Sequence, residues 1–397
     1  MENLIKKENL EIWADYLLNY SLGGIQKEDT VMVKGENICW PLISVLQDKI
    51  FSAGAIADIN IVQPDNDRGK VWGASMAKFG SVEQINKAPG WHLERYKSMT
   101  KYIEILGSSD PSLFSGTNED LAQEIMKVDE LVKNIRLSKP WVLTLFPTQG
   151  FADLEGMSLE DYTRVIVNAS TVDPRYLEDV EEDIYNLMHQ SKKIRIETQH
   201  PKTGDNLTLE MEINDRNIIK CTGKRNFPDG EVFTSPNANT VQGEIFVDLP
   251  VFQGGGDIQG IYLKFKDGII IDYTAETGFE ILQKIIETDK GSHRLGEVAL
   301  GMNNGIEKVL KHPLFVEKVG GTLHIAIGAS YPECYVDNLT AKNAYQQTDK
   351  FLQKGIMNSS AQHVNIVTDF RPGDSGKAVY LDNTKLEIEN NIWVLPK

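Results

Sequence analysis

Residues 261–268 read Ile-Tyr-Leu-Lys-Phe-Lys-Asp-Gly, six positions of strict apolar–polar alternation that run into an Asp-Gly pair. A period of two places Ile261, Leu263 and Phe265 on one face of an extended strand and Tyr262, Lys264 and Lys266 on the other. Asp267-Gly268 supplies the residue types that tolerate the left-handed backbone of a tight hairpin. The same alternation recurs at Leu207, Leu209, Met211 and Ile213. From about residue 191 the chain is therefore expected to be strand-rich and built mainly of half-buried antiparallel sheet, with one helix between strands over Ala275–Thr288.

Upstream the periodicity changes. Leu10, Trp13, Tyr16, Leu17 and Tyr20 recur at helical spacing, whereas Thr30–Val33, Ile59–Val62 and Val142–Phe146 are short apolar strand candidates. Such alternation of helix and strand predicts an α/β layer with at least partly parallel strands. Asn118 is positioned to open a helix with Glu119 and Asp120 in its first turn, and Ser158 with Asp161 makes a variant of the capping box. The change of pattern falls near residues 185–200, where the acidic stretch Glu178–Asp183 gives way to Lys192-Lys193. The fold expected is an α/β N-terminal domain over 1–190 and a β-rich α+β C-terminal domain over 191–397.

Of 397 residues, 41% are hydrophobic and 25% charged, the balance of a globular chain long enough to bury its cores without staples. Forty-one Lys plus Arg against 57 Asp plus Glu give a formal charge of −16, which disfavours nucleic acid as a partner. Cys39, Cys221 and Cys334 are widely spaced, so neither a disulfide framework nor a cysteine zinc site is indicated, in keeping with a reducing cytoplasm. The charged N-terminus and the lack of a long apolar run lead to the expectation that the chain is neither exported nor membrane-spanning.

No phosphate-binding loop, HExxH, GxSxG or dinucleotide fingerprint occurs. Gly254-Gly255-Gly256 lacks the lysine and following helix of a phosphate cradle and reads as a loop. What remains is a scatter of ionisable residues beside glycines or inside apolar runs: Asp229-Gly230-Glu231, Gly296-Glu297, His324 and His363. Two readings stand at this point. Each histidine is a hydrogen-bonded core residue, Glu231 a turn residue and Glu297 a solvated acid at a helix end; or the group converges on a divalent cation, which explains ionisable groups where an unpaired charge is costly.

Three ordered blocks carry a resemblance. They are Asn226–Pro236 (NFPDGEVFTSP), Leu295–Leu300 (LGEVAL) and Leu323–Pro332 (LHIAIGASYP), with looser support from Trp141–Thr148 and Gly156-Met157-Ser158. They resemble segments of the aminopeptidase T and aminopeptidase S family of metallo-aminopeptidases. The resemblance implies a hydrolase that uses two divalent ions (zinc, cobalt or manganese) to release N-terminal amino acids from short peptides, and a homodimer. It implies Glu231 and Glu297 as carboxylate ligands, Glu297 lying between the ions, His324 and His363 as imidazole ligands, Glu317 as a third glutamate, and Tyr331 as a catalytic tyrosine. Two departures are visible. The family pattern His-any-Asp is His363-Val364-Asn365 here, which puts a neutral amide at an expected ligand, and the stretch Glu317–His324 is shortened. The alternative implied is a relative with a weakened site that holds peptide or one ion without efficient hydrolysis.

Overall fold

The computed structural model describes residues 4–62, 70–87, 90–107, 121, 132–133, 135–253, 256–335, 347–371 and 376–397. They divide into two compact units, 1–173 with 223–228, and 174–222 with 229–397. The change of pattern read near residue 190 thus falls inside the second unit, which also takes the helices Pro174–Val180 and Glu182–Gln190. Those helices turn the apolar residues Leu177, Ile184 and Met188 inward, and Ile184 and Met188 join the apolar cluster of the strands that follow.

In the first unit Thr30–Glu36 (β1), Ile56–Val62 (β2), Lys101–Leu106 (β3) and Trp141–Leu145 (β4) form a parallel sheet. Its order is β2-β1-β3-β4, and the short strand Asn226–Phe227 (β8, counting along the chain) adds itself in parallel beside β4. Val31, Met32 and Val33 in succession are buried, the mark of a strand covered on both faces. The helix Lys7–Asp15 buries Leu10, Trp13 and Ala14 and runs into a π-turn over Tyr16–Ser21 that buries Leu17 and Leu18; Leu10, Trp13 and Leu17 are buried as their spacing predicts, whereas Tyr16 and Tyr20 are only partly covered. Trp13 fills this interior and donates its indole N–H to Thr144 Oγ1 at 3.1 Å. Ser158 caps the helix Leu159–Thr171, accepting from the Asp161 N–H at 3.1 Å. The expected helix start at Asn118, Glu119 and Asp120 lies outside the described residues.

The second unit holds, among its described residues, two large antiparallel sheets and two two-stranded ribbons. Lys193–Gln199 (β5), Asn206–Glu212 (β6), Gln242–Val247 (β10), Ile261–Lys266 (β13), Ile269–Thr274 (β14), Ala378–Leu381 (β18) and Thr384–Lys385 (β19) make the larger, in the order β14-β13-β10-β6-β5-β18-β19. Lys266 and Ile269 face each other across Asp267-Gly268, whose φ angles of 50° and 76° are those of the expected hairpin turn. The helix expected over Ala275–Thr288 is Phe279–Ile286, starting after Gly278. Gly256 lies in a short ribbon, Val251–Gln253 (β11) with Gly256–Ile258 (β12), while Gly254 and Gly255 fall outside the described residues.

The smaller sheet carries the chemistry. Ile219–Cys221 (β7), Glu231–Thr234 (β9), Leu295–Gly301 (β15), Thr322–Gly328 (β16) and His363–Asp369 (β17) lie in the order β17-β16-β15-β9-β7. One face, with Val232, Val298, Leu300, Leu323, Ile325, Ile327, Val364 and Ile366, joins an apolar cluster shared with the inward residues of the larger sheet, among them Ile196, Leu209, Ile245 and Leu263. Alternation then fixes what the opposite face bears.

Candidate functional site

Register places the candidates together. Glu297 stands opposite Ala326, which stands opposite Asn365; His324 faces Ala299 and Val367; His363 faces Gly328; and Glu231 faces Gly301. Since residues two apart along a strand share a face, Glu231, Glu297, His324, His363 and Asn365 all lie on the face turned from the apolar cluster. Glu297 follows a register shift between β15 and β16 at Leu295. It is not a solvated acid at a helix end but a buried strand residue, 3% exposed, and Glu231 opens β9 at 6% exposure.

His324 Nε2 lies 2.9 Å from Glu297 Oε1 and 3.4 Å from Glu231 Oε2. One atom from each of these three residues falls within 4.8 Å of the others, a grouping that suits one metal ion. His363 Nδ1 lies 2.8 Å from the Ala329 carbonyl oxygen, and because a carbonyl only accepts, Nδ1 carries the proton. A singly protonated ring then turns a lone pair on Nε2 toward Glu297 Oε2, 3.6 Å away. Neither of those atoms has a hydrogen-bond partner among the described residues. Two acceptors facing each other in a buried site call for a cation or proton between them.

Burial opposes a charge on His324, but the hydrogen bond to Glu297 and the charge of Glu231 outweigh it and raise its pKa. Burial would raise Glu297 as well, and here the hydrogen bond from His324 and the neighbouring His363 prevail, so its pKa is lowered. For Glu231 burial wins over the attraction of Lys318 and His324, and its pKa is raised.

Glu317 closes the short helix Pro313–Val316 and accepts from Asn365 Nδ2 at 2.7 Å. Lys318 was invisible as a site residue from sequence, where a lone lysine reads as a solvated charge. Its side chain is 2% exposed, and Nζ donates to Glu231 Oε1, lies 3.3 Å from Glu317 Oε2 and 3.8 Å from Asp229 Oδ1. Burial alone would lower its pKa, but the carboxylates of Glu231, Glu317 and Asp229 hold the ammonium well above the ordinary lysine range. Tyr331, 36% exposed, sets its ring 4.6 Å from that of His363 and 5.7 Å from that of Phe233. Asp369, on the same face as Asn365, is engaged by Arg371 Nη2 at 2.6 Å and by the Arg371 N–H at 2.9 Å. It does not join the cluster.

Four carboxylates (Asp229, Glu231, Glu297 and Glu317) thus surround one ammonium and two imidazoles, leaving a formal excess of negative charge in a buried place. Oxygen and imidazole donors of this kind suit a divalent cation, and the unpartnered Oε2 of Glu297 marks where its charge is wanted.

The family model described as Thermophilic metalloprotease (M29) matches residues 6–376. The chain belongs to the M29 family. Aminopeptidase T of Thermus thermophilus is 39% identical over 364 residues, 82% of this chain and 86% of that protein. Aminopeptidase PepS of Streptococcus thermophilus is 24% identical over 98% of both chains. Among solved structures, wild-type AmpT from Thermus thermophilus superposes with a TM-score of 0.74 over 98% of this chain and all of that one, at 21% identity. The structure of 2,5-dihydroxypyridine dioxygenase from Pseudomonas putida also matches in fold, with a TM-score of 0.56 at 11% identity over 99% of both chains. The resemblance read from the three sequence blocks is therefore the right family, and the mixed helix and sheet architecture of this M29 member is that of AmpT.

Proposed function

We propose that this M29 member is a divalent-metal-dependent aminopeptidase that releases N-terminal residues from short peptides. The observation that carries the reading is the convergence of Glu231, Glu297 and His324 about one point, with the His363 lone pair facing the free oxygen of Glu297. The names of its relatives, aminopeptidase T and aminopeptidase PepS, support the same activity. Glu231, Glu297, His324 and His363 would hold the metal, and Glu317 and Asn365 border it. A zinc, cobalt or manganese ion bound there would supply a Lewis acid for the peptide carbonyl and bring water toward ionisation near neutral pH.

The chain's own residues do the rest. The backbone oxygen of Ala329 keeps the His363 proton on Nδ1, so that Nε2 stays available as a donor. The sheet fixes Glu297 and His324 at neighbouring register positions, which removes the need to reorder them when substrate arrives. Tyr331, whose ring lies 4.6 Å from that of His363, would donate its phenolic proton to the carbonyl oxygen as negative charge develops there. The surplus of buried carboxylates favours the α-ammonium group that every aminopeptidase substrate carries.

We also propose that the chain works as a homodimer in the cytoplasm, and that the two compact units are an α/β domain and a β-rich α+β domain. Unpaired Cys39, Cys221 and Cys334 support a reducing compartment. Among the described residues no helix is long and apolar enough to cross a membrane. The deciding experiment incubates the purified protein with a panel of aminoacyl amides and dipeptides, with and without added zinc, cobalt or manganese. Chelator-sensitive release of the N-terminal residue is expected; no release from any member of the panel under any metal would sink the proposal.

A further inference from the structure

Glu317 has both of its oxygens engaged by donors. Asn365 Nδ2 reaches Oε1 at 2.7 Å and Lys318 Nζ reaches Oε2 at 3.3 Å. An amide nitrogen has no lone pair for a metal, and an ammonium repels one. The same ammonium holds Glu231 Oε1 while Glu231 Oε2 faces His324 Nε2 at 3.4 Å, so this carboxylate bridges the lysine and the Glu297–His324 pair as it would bridge two cations. Asp229 Oδ1 completes the ring of carboxylates about Nζ at 3.8 Å.

Lys318 is anchored there. Its N–H donates to the Phe315 carbonyl at 3.0 Å, and its carbonyl accepts from the Asn303 N–H at 2.9 Å. Asn303 in turn donates through Nδ2 to the Asp229 carbonyl at 2.6 Å, tying the segment that carries the lysine to the turn that precedes Glu231. Among the described residues Glu231 Oε2, Glu297 Oε2, His363 Nε2 and Asn365 Oδ1 keep no hydrogen-bond partner, but the Lys318 ammonium already sits on Glu317 and Glu231, and on two carboxylates of the other trio able to hold an ion, Cys221, Asp229 and Glu231, so a second divalent ion there would have to displace it.

We infer that the Lys318 ammonium stands in for one of the two metal ions, so that this chain builds its centre from one divalent ion and one fixed organic cation. The inference rests on the aminopeptidase reading only in supposing that a divalent ion binds at all. The ion is held by Glu231, Glu297 and His324, the three residues whose donor atoms already converge, with His363 Nε2 beside Glu297 Oε2 as the further donor. Glu317 and Asn365 serve the lysine rather than the metal.

The test counts ions. Native protein, Lys318→Met and the double variant Lys318→Met/Asn365→Asp are stripped with chelator and dialysed against zinc. Metal per chain is then measured by inductively coupled plasma mass spectrometry and affinity by calorimetry. One zinc per native chain is expected, with a second appearing in Lys318→Met and binding at least ten-fold more tightly in the double variant. Two tightly held ions in the native chain, or one in all three proteins, would overturn the inference. If Lys318→Met does not fold when stripped, refolding in zinc decides. Recovery that requires two equivalents supports the inference, and recovery with one, or none at any zinc level, counts against it.

Hydrolysis of the aminoacyl amide panel by the native chain separates the two claims. Activity with two ions keeps the aminopeptidase and rejects the role of Lys318. One ion without activity does the reverse, and no bound ion rejects both.

Discussion

Glu297 offers its two oxygens to different partners, Oε1 to His324 and Oε2 toward His363. Replacement by Gln keeps the shape but removes the charge on which both histidines converge. Since residues that only support a ligand already cost 10–100-fold when lost, Glu297→Gln is expected to lower kcat/KM by about 100-fold or more and to reduce zinc retention. Near-normal turnover with the metal kept would remove Glu297 from the centre. Tyr331→Phe tests the oxyanion role: kcat should fall by about 10–100-fold with KM changed less than about three-fold, and a change confined to KM would make the tyrosine a packing residue. A third prediction concerns Glu181, fully buried with neither carboxyl oxygen hydrogen-bonded among the described residues. Burial first, and then the charges of Asp229 and Glu231, raise its pKa well above the usual carboxylate range. The folded state therefore keeps a proton that the unfolded chain loses near pH 4.3, and the stability Glu181 contributes falls as pH rises above that value. Glu181→Gln should stabilise the protein by about 1–3 kcal/mol at pH 8 and by much less at pH 4; denaturant unfolding that shows equal effects at both would refute the assignment. Glu231, Glu297, His324 and His363 were legible in sequence because each sits beside a glycine or inside an apolar run, where a charge needs a reason. Asp229, beside the same Gly230, was picked out with them but given no role of its own, whereas Lys318 and Glu181 were not legible, because nothing in their neighbours along the chain tells that they are buried; that depends on strands far away in sequence.

Among elements, the two buried glutamates on the strands of the candidate site share a device. Each follows a glycine, Gly230 before Glu231 and Gly296 before Glu297. A Cβ on Gly296 would come within 2.0 Å of the Ala329 carbonyl oxygen, the atom that holds His363, and one on Gly230 within 2.6 Å of Asn303 Cβ. The approach at Gly296 lets β15 lie close to the end of β16 where the register shifts, and that at Gly230 lets the turn before Glu231 pack on Asn303. Gly296→Ala is expected to destabilise by about 1–3 kcal/mol through overpacking and, beyond that, to weaken zinc binding, because separating the strands moves Glu297 from His324. A variant equally stable that still binds zinc as the native chain does would show the spacing to be slack. Strands with alternating or wholly apolar patterns were readable, including the hairpin at Asp267-Gly268. The strand Lys101–Leu106 was missed because Glu104 interrupts its apolar run; the structure shows that carboxylate paired with Lys34 and Arg136. Strand order was beyond reach from pattern alone, since it depends on which edges meet after the chain has turned.

At the scale of the molecule, a formal charge of −16 makes the protein a poor ligand for polyanions, and gel shift with duplex DNA at moderate salt should show no binding. Sedimentation should return twice 44.5 kDa, or 89.0 kDa, if the proposed homodimer forms, and 44.5 kDa if it does not. The chain passes between its two compact units three times, at 173–174, 222–223 and 228–229, because residues 223–228 return to supply β8 beside β4. A gene truncated after residue 173 would therefore encode a sheet whose β4 edge has lost its neighbour, an open strand edge of the sort that draws other chains into aggregates. Split differently, the same loop becomes a means of reassembly. Fragments 1–173 and 174–397, co-expressed, retain every strand of both units and should complement each other into one soluble species, whereas 1–173 with 229–397 should not.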